Sequence, residues 1–355
     1  MSQPKLRVGL IGAGGISGVH VQGWSKLNPD CAIAAIADPV EASRKRRAEE
    51  AKVASTNLFA DYRQMLKEVP LDAVDICTPN MVHAPAAVAA LQAGCHVLCE
   101  KPLAATPADV RRIIAARDKA RKLVMTAQHQ RFGAGAQRLK ALIDTGALGD
   151  VYYARSHFLR RRFIPAWGNG GAGFIDKKLS GGGPCIDIGV HILDLTLHFM
   201  GHPEPVSVSG TTPCKLGKRK DIRGWWGEWD RDRMTVEDFA AGFVRFKNGA
   251  TLSLECSWLL NCKETEYQRI WLFGTEAGAE WPELTIHGEK AGSTTDTQLK
   301  FADDKIGGHI KEIAAFAQAV LQRQPSPVPS EQSLNVQRIL DGLYRSYSQG
   351  KEVKV

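Results

Sequence analysis

Asp187 and His191 stand four residues apart in DIGVH, a spacing that puts both side chains on one face of a helix. An imidazole on the same face as a carboxylate can shuttle a proton while the acid orients a hydroxyl. Far upstream, Lys101 follows the apolar run HVLC, at the carboxyl end of what reads as a parallel strand. Ligands of open α/β sheets bind at such ends. Partial burial would depress the ammonium pKa there, and its cationic form would stabilise a developing alkoxide. The three residues together suit oxidation of a secondary alcohol, which needs a base for the hydroxyl proton and a hydride acceptor for the carbon. Alone, each has a plainer reading, as a surface lysine or a structural helix residue. Asp194 and His198 continue the same periodicity and read as buried helix contacts.

The other end of the chain supplies the acceptor. Gly12-Ala13-Gly14-Gly15-Ile16-Ser17 follows the strand-like LRVGLI and opens a helical stretch. The first glycine permits a tight turn, and the second lets the backbone approach a pyrophosphate resting on the helix N-terminus. Ser17 stands where glycine or alanine is usual, which loosens the argument for close helix–strand packing. Asp38 closes the second strand, 38 − 12 = 26 residues after Gly12. A carboxylate there accepts both adenosine ribose hydroxyls and repels a 2′-phosphate. Its plainer reading is a turn residue before Pro39. Arg44 and Lys45 pull toward NADP, so NAD is favoured without being exclusive.

Gly12-Ala13-Gly14, CTPN at residues 77–80, EKP at 100–102 and DIGVH at 187–191 occur in this order. Together they resemble the Gfo/Idh/MocA oxidoreductases, the group of glucose–fructose oxidoreductase and inositol dehydrogenase, over nearly the whole chain. The resemblance implies that Glu100 contacts the nicotinamide ribose side, that Pro102 follows a cis peptide, and that Thr78 and Asn80 line the dinucleotide. It makes His191 the base, with Lys101 and Asp187 aligning the alcohol. His83 belongs to the CTPN region and reads equally as a cofactor contact or a packing residue. Gln128 and Arg131 follow the strand-like LVMT and could reach the carboxamide or the substrate; Arg131 reads equally as an interdomain ion-pair residue.

Substrate choice is expected in RRRFIPAWGNGGAGFIDKKLSGGG. Trp167 could stack on the nicotinamide or a sugar face, or simply anchor the loop. Arg161, Arg162, Lys177 and Lys178 could bind hydroxyls or an anion, against a plain reading as solvated charges. The aromatic cluster GWWGEW at residues 224–229 has no assignable place from sequence.

Elements that would position these residues alternate regularly over the first half. Strand candidates at residues 6–11, 32–37, 73–77, 96–99 and 123–126 are separated by helical stretches at 16–27, 41–51, 62–67, 84–93 and 107–120. Such alternation means a parallel sheet with helices on both faces, a doubly wound Rossmann domain. Beyond residue 128 strand patterns dominate, at 151–157, 206–210, 238–246, 250–258 and 267–274, with helices at 136–145, 185–200, 310–323 and 331–348. That is an α+β domain on a large open, mostly antiparallel sheet. The expected division is 1–127 for NAD(P) binding and 128–355 for substrate binding and oligomerisation. Asn248-Gly249 reads as a type I′ hairpin turn.

Composition narrows the function classes. Lys plus Arg exceed Asp plus Glu by 46 − 38 = 8, a modest field with no nucleic-acid-reading motif. No apolar run is long enough to span a membrane. The opening runs straight into a glycine turn rather than a cleavage site, and eight cysteines without a CxxC pair suit a reducing cytoplasm. No metal site is expected: His96 and Cys99 fall on opposite strand faces. The leading function is an NAD(P)-dependent dehydrogenase of a sugar, glycoside, polyol or sugar acid. The alternative is an NAD-dependent glycoside-cleaving enzyme that oxidises C3 transiently and recycles its cofactor. Apolar strands FAAGFVRF and TLSLECSWLL suggest a homodimer or homotetramer through the second sheet.

Overall fold

A computed structural model describes residues 5–27, 30–166 and 171–355. Two compact units divide the chain: Met1–Phe132 with Lys305–Leu334, and Gly133–Asp304 with Asn335–Val355. The division is therefore not the continuous 1–127 and 128–355, because a late segment returns to the first unit.

The first unit holds β1 (Leu6–Ile11), β2 (Cys31–Ala37), β3 (Leu58–Phe59), β4 (Ala73–Ile76), β5 (His96–Glu100) and β6 (Val124–Ala127). They form one parallel sheet in the order β3-β2-β1-β4-β5-β6. α1 (Ser17–Ser25), α2 (Glu41–Ala51), α3 (Tyr62–Glu68), α4 (Asn80–Gln92) and α5 (Pro107–Ala120) connect them. Register puts the strand ends level: Ile11 pairs with Ala37 and Ile76, and Ile76 with Cys99. Gly12, Asp38, Thr78 and Glu100 therefore gather along one edge of the sheet.

Two apolar cores flank this sheet, as expected when both faces of a parallel sheet are buried. One of them includes α10 (Gly308–Leu321). A Cβ on Gly23 of α1 would lie 2.4 Å from Ile313 Cδ1, and Trp24 meets Phe316 edge-on at 6.1 Å. Burying such aromatic rings contributes roughly 1.5–3 kcal/mol each, which is why α10 belongs here despite its distance in sequence. α4 starts at Asn80, earlier than the pattern suggests, because Pro85 lies inside the helix rather than at its start.

The second unit carries a nine-stranded sheet, β14-β13-β12-β11-β7-β10-β9-β8-β15. Its strands are β7 (Val151–Arg160), β8 (Pro205–Thr211), β9 (Phe239–Phe246), β10 (Thr251–Ser257), β11 (Glu266–Gly274), β12 (Gly278–Trp281), β13 (Thr285–Lys290), β14 (Ser293–Gln298) and β15 (Val353–Lys354). β7 and β10 pair in parallel and the other pairs are antiparallel. Strand alternation sends Ala154, Ser156, Phe158, Leu252, Leu254 and Cys256 to one face. There α6 (Ala134–Ile143), α9 (Val190–Phe199) and the later part of α11 (Ser330–Gln349) pack. Gly210 and Gly242 pair across β8 and β9, and a Cβ on either would strike Leu343 of α11. Two short helices, α7 (Ala172–Ile175) and α8 (Lys177–Ser180), precede the GGG turn.

The β9–β10 connection is not the type I′ turn expected. Only Gly249 has a left-handed φ, +86°, and its N–H donates to Phe246 O. A type I′ turn needs two such residues; here Asn248 instead accepts the Ala250 N–H with its side chain. No helix among the described residues is long and apolar enough to cross a membrane.

Candidate active site

The glycine loop is held by contacts its motif does not show. Gly12 has φ +93°, and a Cβ there would lie 2.5 Å from Cys77 O, so only glycine lets β1 turn beside the end of β4. At Gly14 and Gly15 an added Cβ would meet nothing within 4 Å. Protein packing does not require glycine at those two positions, and the open space over them suits a ligand lying against the loop. Ser17 tightens the loop rather than loosening it: its hydroxyl donates to Gly14 O at 2.7 Å and accepts from Arg47 Nε at 2.9 Å. Arg47, only 7% exposed, also donates to Gly14 O and to Glu50. Gly18 makes room for it, since a Cβ there would sit 2.8 Å from the guanidinium. Ile16 is exposed at the start of α1.

Asp38 ends β2 with its carboxylate on the Ala13 and Val40 amides, both at 2.8 Å. Arg44 donates to the Asp38 main-chain carbonyl and Lys45 pairs with Glu41. Arg44, Lys45 and Arg47 of the basic run are thus committed within the protein.

Farther along the same edge, the hydroxyl oxygen of Thr78 is buried without a hydrogen-bond partner among the described residues. Asn80 opens α4. His83 is fully buried, with Nδ1 2.7 Å from Pro102 O and Nε2 2.9 Å from Thr78 O. It ties two loops together and presents no nitrogen to a ligand, so its role is packing. Burial pushes its pKa down. The Lys101–Pro102 peptide is cis, as expected.

Glu100 is buried, its Oε1 2.9 Å from His20 Nε2 and its Oε2 accepting the Lys101 N–H at 3.0 Å. The opposite ring nitrogen of His20 lies 2.9 Å from Asp75 Oδ2, which also accepts from Trp24 Nε1 at 2.7 Å. Burial opposes charge on His20, but Asp75 and Cys77 together outweigh it and hold the imidazole well above its ordinary range. Burial likewise pushes Glu100 up, yet His20 and Lys101 bring it down to about 2. Gln128 and Arg131 are buried, and Arg131 donates to Gln332 Oε1 at 2.6 Å within the same unit. His129 and His309 stack at 3.8 Å, and burial lowers His129 to about 3.

In the second unit, Asp187 lies in a π-helical turn, Cys185–Gly189, that runs into α9 carrying His191. The pair is thus set on a widened turn rather than a plain α-helix; such turns often mark functional sites. Asp187 is half-buried and accepts from Trp258 Nε1 at 3.1 Å, while His191 is 9% exposed. Glu237 anchors the turn: its carboxylate accepts the Gly183 and Cys185 amides at 3.0 Å and the Tyr344 hydroxyl at 2.8 Å. Gly182 and Gly183 permit this, since Cβ atoms there would meet Tyr344 Oη at 2.0 Å and Glu237 O at 2.2 Å. Neither Glu237 nor Trp258 stands in a recognisable motif; their only sequence signal is a charge and an indole at the ends of apolar strands.

The expected substrate loop is partly committed elsewhere. Arg162 donates to Leu260 O and Asn261 Oδ1, and Arg160 pairs with Glu266. Arg161 reaches Lys263 O at 3.5 Å. Lys178 is exposed on α8, and Lys177 lies over the Tyr344 ring. Trp167 lies outside the described residues. The aromatic cluster finds its place beside this arm: Phe163 meets Trp225 at 5.2 Å and Trp226 at 4.8 Å, while Trp229 is buried.

Residues 6–128 match an oxidoreductase family with an NAD-binding Rossmann fold, and residues 136–280 match the GFO/IDH/MocA C-terminal domain. A D-glucoside 3-dehydrogenase of Escherichia coli is 34% identical over 100% of this chain and 99% of its own. The chain belongs to the Gfo/Idh/MocA oxidoreductases. A myo-inositol 2-dehydrogenase of Thermotoga maritima is 26% identical over 92% of this chain and 91% of its own. A levoglucosan dehydrogenase solved with NADH and levoglucosan shares the fold, with a TM-score of 0.82, 23% identity and 99% of each chain covered.

For this oxidoreductase the dinucleotide fits the sheet edge, where open space lies over Gly14 and Gly15, Thr78 has an unpartnered hydroxyl and Asp38 closes β2. The 590 Å³ cavity lined by His96, Arg117, Lys122 and Arg323 lies instead at the amino ends of β5 and β6. Its cations sit at the C-terminal ends of α5 and α10, where they complement the helix dipoles.

Gly12→Ala is expected to destabilise the protein by about 1–3 kcal/mol, since it strains a left-handed turn. Gly14→Ala should leave the melting temperature unchanged and weaken NADH binding at least about tenfold, roughly 1.4 kcal/mol. Calorimetry and NADH fluorescence titration check both. Trp258→Phe should lower kcat about tenfold with little change in KM, through loss of a hydrogen bond to a charged group. Steady-state kinetics equal to the parent's would remove Trp258 from the site.

Proposed function

We propose that the protein oxidises a secondary hydroxyl of a sugar, glycoside or polyol, with C3 of a D-glucoside as the first substrate class to test. The observation that carries this is the end-to-end likeness to a D-glucoside 3-dehydrogenase. The nicotinamide, when bound, accepts the hydride. His191 takes the hydroxyl proton, Asp187 orients the hydroxyl from its Trp258-held position, and Lys101 stabilises the developing alkoxide. Glu100 serves the nicotinamide ribose. Gln128 and Arg131 serve the carboxamide or the substrate at that end, and Arg161 and Lys178 remain as substrate contacts. The first unit holds the dinucleotide, NAD over NADP because Asp38 would repel a 2′-phosphate. The second holds the substrate. Eight free cysteines support a cytoplasmic setting.

Purified protein incubated with NAD and a panel of glucosides, inositols and sugar acids should yield net NADH and a product lighter by two hydrogens. His191→Ala should cut kcat by about 100-fold or more while NADH affinity holds. Cleaved glycoside without net NADH would establish the cofactor-recycling reaction instead.

Self-association through the open sheet face is part of the same proposal. That face presents Tyr153 stacked on Phe273 at 5.3 Å, with Arg155 4.1 Å over Trp271. Arg155 Nε and Arg269 Nε are buried there without hydrogen-bond partners among the described residues. A second copy of the chain would cover rings and supply acceptors together. Sedimentation at micromolar concentration should show a dimer or tetramer, and Trp271→Glu a monomer; a monomeric parent protein would refute it.

A further inference from the structure

A deeply buried charge cluster in the first unit lies beneath the strand ends and takes no part in the proton transfer proposed above. His20 on α1 is fully buried, with Asp75 of β4 on one ring nitrogen and Glu100 of β5 on the other. With both acids ionised each can only accept a hydrogen bond, and the ring then carries a proton on both nitrogens. Each end is then fastened again. Asp75 accepts from Trp24 Nε1 at 2.7 Å and lies 3.7 Å from Cys77 Sγ. Glu100 accepts the Lys101 N–H at 3.0 Å with the oxygen His20 does not use.

His20, Asp75 and Cys77 also form the only cluster among the described residues with spacing suited to a metal ion. A doubly protonated imidazole has no lone pair to give one. A buried ionic triad is seldom worth more to stability than apolar side chains of the same volume. Its geometry indicates a different return: it fixes one oxygen of the acid that adjoins Lys101 and leaves the other on the Lys101 N–H.

We propose that His20 is a positioning residue, a buried cation that holds the Glu100 carboxylate and, through it, the main chain of Lys101 in the arrangement that hydride transfer requires. This rests on the reading that Glu100 and Lys101 serve the nicotinamide and the hydroxyl. Because His20 lies on the helix that leaves the glycine loop, the same ring links the pyrophosphate end of the sheet edge to its reactive end. The charged or titratable groups around the ring are Asp75, Cys77 and Glu100, with Cys99, Lys101, His129 and His309 beyond them. Without His20, burial would push Glu100 up, and the carboxylate would be lost at a higher pH. Without the Asp75 charge, His20 would lose its proton at a lower pH.

Nitrogen NMR of the whole protein labelled at histidine gives the first test. Both His20 nitrogens should remain protonated at pH 8, and a neutral, single-tautomer ring at pH 7 would overturn the proposal. Kinetics give the second. His20→Gln should lower kcat at least about tenfold and move the acid limb of the kcat profile to higher pH. Asp75→Asn, which keeps the local volume, should move the alkaline limb to lower pH, and it serves where His20→Gln does not fold. The double variant His20→Gln/Glu100→Gln should lose less than the product of the single losses. Unchanged limbs in both single variants, with only a lower melting temperature, would show a purely structural role and sink the proposal. Glu100→Gln with unaltered kcat and NADH affinity would instead refute the underlying reading of Glu100.

Discussion

A parallel sheet covered by helices on both faces has no free surface except its strand ends, and the chemistry of the first unit depends on that constraint. Polar side chains cannot gather on the faces without entering an apolar core. They gather where β1, β2, β4 and β5 stop, in register, at Gly12, Asp38, Thr78 and Glu100. Gly12 approaches Cys77 O so closely that a Cβ there would lie 2.5 Å from it, which brings the turn after β1 against the end of β4. Arg47 and Ser17 then bind the glycine loop from behind, and His20 fastens the far end.

The second unit solves a different problem with similar means. Asp187 and His191 must project from a helix whose other side is buried against β10, where Gly189 packs within reach of Cys256. Glu237 and Tyr344 hold the start of that helix, and Trp258 sets the Asp187 carboxylate. Burial pushes the Glu237 carboxyl up despite the two amides and the hydroxyl that favour its charged form. Placing a carboxyl on a buried helix start is worthwhile because the first amides of a helix have no partners of their own.

Much of this was legible in the sequence, for identifiable reasons. Gly12, Asp38, Lys101, Asp187 and His191 show themselves because each ends or begins an element whose hydrophobic period is strong. The parallel sheet was legible for the same reason. What stayed hidden depends on contacts distant in sequence. Nothing local says that α10 returns to cover α1, that Arg47 crosses to the glycine loop, or that Arg131 bonds Gln332. His20 is visible only as a histidine in an amphipathic stretch, and its two acids lie 55 and 80 residues away. Glu237 and Trp258 are similarly silent. Asn248-Gly249 misled in the opposite sense, since the dipeptide suits two hairpin turns and neighbouring strands select between them.

The central claim is that hydride leaves a sugar carbon for the nicotinamide at this sheet edge. Its most direct test is a D-glucoside carrying deuterium only at C3, incubated with the protein and NAD. We expect deuterium on the reduced nicotinamide, a primary isotope effect on turnover, and a 3-keto product. Deuterium retained in the product, or lost to solvent with none on the nicotinamide, would contradict it.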